Sequence, residues 1–165
     1  MAAQTMATPT ADPSAYPPSE RPAKPPQRPV LRHLLGLEGL SADTLTAILD
    51  LAAEMKAVNQ RQVKKLPTLR GVTVLTLFVE NSTRTRMSFE LAAKRLSADT
   101  MSFSASTSSL SKGETLLDTA RNLEAMGPDL VVIRHTCSGA TSFLAQSVGC
   151  GVVNDEDGLR GHHTQ

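Results

Sequence analysis

Apolar positions along the chain change their period several times, and each change marks an element. From Ser41 the run SADTLTAILDLAAEM places Leu45, Ile48, Leu49, Ala52 and Met55 on one helical face, with Ser41 as the N-cap. LPTLRG breaks that pattern. VTVLTLFV, residues 72–79, follows as a β-branched run apolar enough to be buried on both faces, which predicts an interior parallel strand. A helical pattern then runs from Thr83 to Leu96, and a short strand is predicted around DTMSF. Beyond the polar loop SASTSSLSKG, a further helix aligns Leu116, Ala120 and Leu123 and is stopped by MGP. DLVVIRH predicts the next strand, GATSFLAQSVG a helix, and GVVN a last strand.

Strands alternating with helices predict an α/β fold: a parallel sheet with helices on both faces, a three-layer αβα arrangement joined by right-handed crossovers. The first 29 residues differ. Eight of the ten prolines precede Val30, where they remove amide donors among polar neighbours that offer no core. A disordered tail over 1–29 and one ordered domain over 30–165 are therefore expected, the tail being alternatively a proline-rich ligand for a partner.

Composition narrows the function. The chain of 165 residues is 40% hydrophobic and 20% charged, the balance of one water-exposed domain. With no Trp and a single Tyr it has little material for base stacking, so nucleic acid is not an expected partner. Seventeen basic against sixteen acidic residues leave a net charge of +1, so anion binding must come from a local cluster rather than from the whole-molecule field. Cys137 and Cys150 are too few for a disulfide framework and lack the paired spacing of a zinc site, and both are expected to be ordinary buried or half-buried side chains. A reduced, cytoplasmic setting is expected. No apolar run approaches the ~20 residues that cross a bilayer, so no membrane partner is expected either.

The local cluster is STRTR, residues 82–86, between the first interior strand and its helix. Ligands of open α/β sheets bind off the carboxyl ends of strands, and the first amides of the following helix are unpaired at the positive end of its dipole. Ser82, Thr83 and Thr85 add hydroxyl donors; Arg84 and Arg86 add forked positive charge. The plainer account is a solvated basic helix start, or Ser82 capping the helix while the arginines face water; placement at a strand end favours a phosphate cradle. Glycine-rich phosphate motifs do not supply one, because SKGET is no Walker loop and GCGVVN lacks the third glycine of a dinucleotide fingerprint.

RHLLGLEGLSADTLTAILDLA, FVENSTRTRMSFELAAKRL, SSLSKGETLLDTARNLEAMGPDLVVIRH and VVNDEDGLRGHHTQ, in that order, resemble the carbamoyl phosphate-binding half of the catalytic chain of aspartate carbamoyltransferase, within the aspartate/ornithine carbamoyltransferase family. The likeness runs from about Leu31 to Gln165. It implies carbamoyl transfer from carbamoyl phosphate to the amino group of L-aspartate, an early step of pyrimidine synthesis, with no metal or organic cofactor. On matching positions, Ser82, Thr83, Arg84 and Thr85 would hold the phosphate, and Arg134 would reach both phosphate and carbonyl oxygen. His162 would hydrogen-bond that carbonyl, and Gln165 the carbamoyl amine. Ser109 and Lys112 would enter the site of a neighbouring subunit in a homotrimer, which in the full-length protein can bind regulatory or other pyrimidine-pathway subunits; the bland account of their loop is a flexible serine-rich turn. The lysine favours the aspartate enzyme over its ornithine relative.

The family's chain is about twice as long, so the resemblance implies that only the first of its two domains is present and the aspartate-binding domain is absent. Glu80 would pair with arginines of that second domain and is expected to have no partner here; a returning C-terminal helix would also be missing, leaving an apolar patch exposed. NDEDG, residues 154–158, departs from the family's usual Asn-Ala-Gly-Asp-Gly and puts Asp155 and Glu156 where small residues stand. His163 replaces the family's proline and takes no assigned role. The 165-residue chain alone is expected to be catalytically incompetent. Two alternatives stand beside the transferase reading: a non-catalytic anion-binding or assembly module joining full-length catalytic chains, and a related carbamoyltransferase with another amine acceptor.

Overall fold

VTVLTLFV forms an interior strand of a five-stranded parallel sheet, as its unbroken apolar run requires. The computed structural model of the chain describes residues 30–80, 82–104 and 115–158; the expected disordered tail lies outside them. Among these residues the strands are β1 (His33–Leu34), β2 (Thr73–Phe78), β3 (Asp99–Ser104), β4 (Leu130–His135) and β5 (Gly151–Asp157). The helices are α1 (Ala42–Val58), α2 (Thr83–Arg95), α3 (Leu116–Glu124) and α4 (Ala140–Ser147). The strands lie in the order β1-β5-β4-β2-β3, every neighbouring pair parallel.

Strand order decides where the helices go. The connection from β2 to β3 runs one way across the sheet, whereas those from β3 to β4 and from β4 to β5 run the other way. Right-handed crossovers therefore put α2 on one face and α3 and α4 on the opposite face. The strand side chains divide accordingly, with period two. Leu75, Leu77, Val131, Ile133 and Val152 pack with Ala120, Leu123, Leu144 and Val148 on the α3/α4 side. Val74, Phe78 and Val132 pack with Ala93, Ala98 and half-buried Phe89 on the α2 side. The expected three-layer α/β fold is what the chain forms.

Ser41 caps α1 as expected, its Oγ accepting the Thr44 amide at 3.1 Å. The inward face of α1 keeps Leu45, Ile48 and Met55 of the expected stripe but not Leu49 or Ala52. Leu49 is 69% exposed and Ala52 is exposed as well, while Leu45, Ile48, Leu51 and Met55 are half-buried and Val58 is buried. A helix rich in Ala and Leu carries two overlapping apolar stripes, and packing in the fold selects one of them. Met55 and Val58 share a groove with Leu66, Leu91 and Leu96, and Arg95 Nη1 donates to Asn59 Oδ1 at 2.8 Å. This groove is open and Leu91 is exposed.

Two features of the sheet go beyond the sequence pattern. β1, two residues long, pairs His33 with Val152 and Leu34 with Val153, and no periodicity announces so short a strand. β5 continues past GVVN to Asp157, with a bulge: Ile133 pairs with Asn154 and Arg134 with Glu156, so Asp155 is the extra residue. No helix among the described residues is long and apolar enough to cross a membrane.

The corrected face of α1 makes a direct comparison available. Leu77→Ala, at a fully buried position, should lower the unfolding free energy by about 2–5 kcal/mol. Leu49→Ala should change it by less than about 0.5 kcal/mol. Urea unfolding of both variants checks this, and a Leu49→Ala cost near that of Leu77→Ala would show that the outward assignment is wrong.

Candidate functional site at the β2–β4 crevice

The chain leaves β2 toward β3 and leaves β4 toward β5, so a crevice opens between the carboxyl ends of these two adjacent strands. Phe78 is in register with Arg134, and the Val79 amide donates to the Arg134 carbonyl at 2.9 Å, extending the pairing one residue beyond β2. Glu80, Ser82 and the first turn of α2 are thereby delivered beside the end of β4.

Ser82 occupies the N-cap position of α2 with φ −134° and ψ 89°, but its side chain makes no capping bond. Ser82 Oγ instead donates to Thr85 Oγ1 at 2.9 Å. The first turn contains no acidic residue, so the positive end of the helix meets neither a side-chain cap nor a carboxylate from its own first turn. Thr83 and Arg84 are exposed; Ser82 and Thr85 are half-buried. The plainer account in which Ser82 caps the helix is not what forms. Arg86 turns along the helix, its Nε 3.8 Å from Glu90 Oε1, and so adds less free charge to the cluster than its position in STRTR suggested.

Arg134 is the other basic group of the crevice, and its side chain is only 11% exposed. Three carboxylates surround it. Glu156 Oε2 lies 2.6 Å from Nη2, Asp155 Oδ2 lies 3.4 Å from Nη1, and Glu80 Oε2 lies 3.6 Å from Nε. The last distance is an ion pair but too long for a hydrogen bond, and Nε is buried without a hydrogen-bond partner among the described residues. Glu80 therefore has a partner within this chain, contrary to expectation, because the β2–β4 register brings residues 80 and 134 to the same strand ends.

The loop after β4 is stitched to the end of β5. Asp157 is buried, its Oδ2 accepts the Gly139 amide at 3.1 Å, and its carbonyl accepts from Ser138 Oγ at 3.4 Å. The Gly158 amide donates to the His135 carbonyl at 3.1 Å. Gly158 has φ +58°, and a Cβ there would lie 2.5 Å from the Thr136 carbonyl oxygen, so a side chain is excluded. His135 Nδ1 accepts the Cys137 amide at 2.9 Å, which requires an unprotonated Nδ1. Neither Asp157 nor His135 stood out in the sequence, since a single carboxylate or imidazole at a strand end has no spacing signature. Cys137 is exposed rather than buried, because it lies on this loop, and Cys150 is half-buried with its thiol pKa raised by burial.

The structure thus brings together Glu80, Ser82, Thr83, Arg84, Thr85 and Arg134 at one sheet end. Ser109, Lys112, His162 and Gln165 lie outside the described residues, as does His163. Among the described residues, no group of three or more His, Cys, Asp and Glu side chains is placed to hold a metal ion.

A parallel sheet covered on both faces, with its crevice at the point where strand order reverses, defines the doubly wound class of ligand-binding α/β domains. Residues 32–165 match the family described as aspartate/ornithine carbamoyltransferase, carbamoyl-P binding domain, and the chain belongs to that family. It is 57% identical over 134 residues to the aspartate carbamoyltransferase catalytic subunit of Syntrophotalea carbinolica, covering 81% of this chain and 43% of that protein. The corresponding subunit of Halothermothrix orenii is 56% identical, with the same coverage of both chains. Among solved structures, the catalytic subunit of M. jannaschii aspartate transcarbamoylase superposes with a TM-score of 0.71 at 34% identity, over 80% of this chain and 43% of that one. Aspartate transcarbamoylase from Trypanosoma cruzi, in complex with carbamoyl phosphate and aspartate, gives 0.70 at 31% identity, over 77% and 39%. The chain spans less than half the length of these relatives.

The His135 contact carries a pH dependence. Burial lowers the imidazole pKa from its usual 6.5, with the negative charge of Asp157 opposing the shift. The unfolded chain therefore binds the proton first. This contribution to stability is complete above about pH 6.5, is lost as the pH falls toward the lower folded value, and is constant below it. His135→Asn keeps an acceptor at the Nδ1 position without titrating. The stability difference between wild type and this variant, measured by urea unfolding from about pH 8 to about pH 5, should shift against the wild type on acidification; a pH-independent difference would show that the imidazole is not held neutral.

Proposed function

We propose that this chain is the carbamoyl phosphate-binding unit of an aspartate carbamoyltransferase. Residues 30–165 form that domain, behind a separate N-terminal segment 1–29. The observation that carries the reading is the first turn of α2: an N-cap serine that leaves the leading amides uncapped, a paired Ser82–Thr85 hydroxyl couple and exposed Arg84, at the sheet end where ligands of this fold class bind.

In this reading Ser82, Thr83, Arg84 and Thr85 hold the phosphate, and Arg134 reaches the phosphate and the carbonyl oxygen. His162 and Gln165 contact the carbonyl and the carbamoyl amine. Attack by the aspartate amine builds negative charge on the carbonyl oxygen while phosphate leaves as an anion, so donors fixed at both oxygens lower the barrier. No side-chain nucleophile is needed; the transfer is direct and its rate comes from holding two reactants in line. L-aspartate would be bound by a second domain of the kind that completes the longer relatives, toward which Glu80, the most exposed of the carboxylates around Arg134, would turn. Ser109 and Lys112 would complete the site of a neighbouring subunit in a cytoplasmic homotrimer. Without a second domain the chain would bind the acyl donor and not turn it over.

A second reading has its own support. Both Nη atoms of Arg134 face carboxylates of β5, as suits an assembly module that joins catalytic chains and does not itself catalyse. A colorimetric assay for carbamoyl aspartate on the purified chain, alone and mixed with intact catalytic subunits, separates the two.

Titration calorimetry with carbamoyl phosphate tests the cradle. Arg84→Ala removes charge-assisted hydrogen bonds of about 1.5–3 kcal/mol, so the dissociation constant should rise about 10- to 150-fold. Unchanged uptake would refute the cradle. In a two-domain version, Lys112→Gln should lower kcat about 100-fold or more if the loop enters the neighbouring site; an unaltered rate would remove that loop from the chemistry.

A further inference from the structure

Arg134 is assigned above to an incoming dianion, yet its guanidinium is already occupied. In a regular strand, successive side chains point to opposite faces, so Asp155 and Glu156 could not both reach the same group. The bulge in β5 removes that restriction: Asp155 is the extra residue, Glu156 takes the register position opposite Arg134, and both carboxylates meet the guanidinium. The two contacts differ in kind. Asp155 is fully buried at 3.4 Å from Nη1, whereas Glu156 is 26% exposed and makes the short 2.6 Å pair with Nη2. A charge-assisted bond of that length is strong, but its carboxylate has a path to solvent.

With Glu80 included, three carboxylates face the one guanidinium of Arg134 among the described residues. A dianion approaching Arg134 therefore competes with resident anions of the same sign. We propose that the Asp155–Glu156 bulge is a built-in anionic latch: it occupies Arg134 in the empty site, so that the acyl phosphate is first held by the α2 end alone and gains Arg134 only when Glu156 swings out to solvent. Asp155 is the fixed half of the latch and Glu156 the mobile half. The inference rests on the reading of the α2 start as an acyl phosphate cradle.

If the carboxylates instead merely orient Arg134 for the ligand, neutralising Glu156 would weaken binding; the latch requires the opposite sign. Titration calorimetry of the whole chain with carbamoyl phosphate, and with inorganic phosphate as a stable probe, should show Glu156→Gln binding both about tenfold more tightly than wild type, with Arg134→Ala cancelling the gain in the Glu156→Gln background. Glu156→Ala, which removes the partner altogether, should show the same gain and stands in should Glu156→Gln fail to give a wild-type urea transition. Equal or weaker binding by the folded variants overturns the latch. Binding about 10- to 150-fold weaker with Arg84→Ala, together with no gain on Glu156→Gln, discards the latch and keeps the cradle; binding unchanged by Arg84→Ala, or absence of binding in every variant, discards both.

Discussion

Pairing of β2 with β4 is the constraint on which the rest of the molecule depends. Both strands are covered on both faces, so their side chains have no solvent side to which a slipped register could send them. A shift of one residue would exchange Leu75 and Leu77 with Val74, Thr76 and Phe78 between the two cores. It would also turn Arg134 away from Glu80 and the start of α2. The same register that packs the interior therefore aligns the crevice, and the site is precise because the core beneath it is.

Two electrostatic regimes meet in that crevice. On the β2 side, the start of α2 offers uncapped amides, hydroxyls and Arg84 with no acid in the first turn. On the β5 side, Asp155, Glu156 and Asp157 follow one another in a strand that ends in a glycine turn. Asp157 is committed to the Gly139 amide and steadies the loop after β4, while Asp155 and Glu156 are committed to Arg134. A buried carboxylate must find donors to offset its lost hydration, and here the Gly139 amide and the Arg134 guanidinium supply them.

The remaining elements bear less directly on the crevice. β1 closes the sheet edge beside β5, and buried Asn154 ties the two regions, accepting from Thr141 Oγ1 at 3.0 Å and donating to the Leu35 carbonyl at 3.0 Å. α1 leans on α2 through Met55, Val58 and the Arg95–Asn59 bond, leaving a groove between them. The groove is lined on one side by α2 residues Ser88, Leu91 and Arg95, beyond the first turn of that helix.

Local signals settled most of this architecture in advance. The unbroken apolar run 72–79, the period of α3, the Ser41 cap and the β/α alternation each rest on interactions within a few residues, and they fixed element types and the α/β class. The STRTR cluster was equally legible, because its placement depends only on one strand ending where one helix begins. Three things were decided only in three dimensions. The face of α1 was set by tertiary packing, since Leu49 and Leu51 are equivalent until a neighbour chooses between them. β1 exists only because β5 offers it an edge. The charge cage around Arg134 joins residues 80, 134, 155 and 156, brought together by strand order and a bulge, and no pattern along the chain records which strand lies beside which or where a ladder skips a residue.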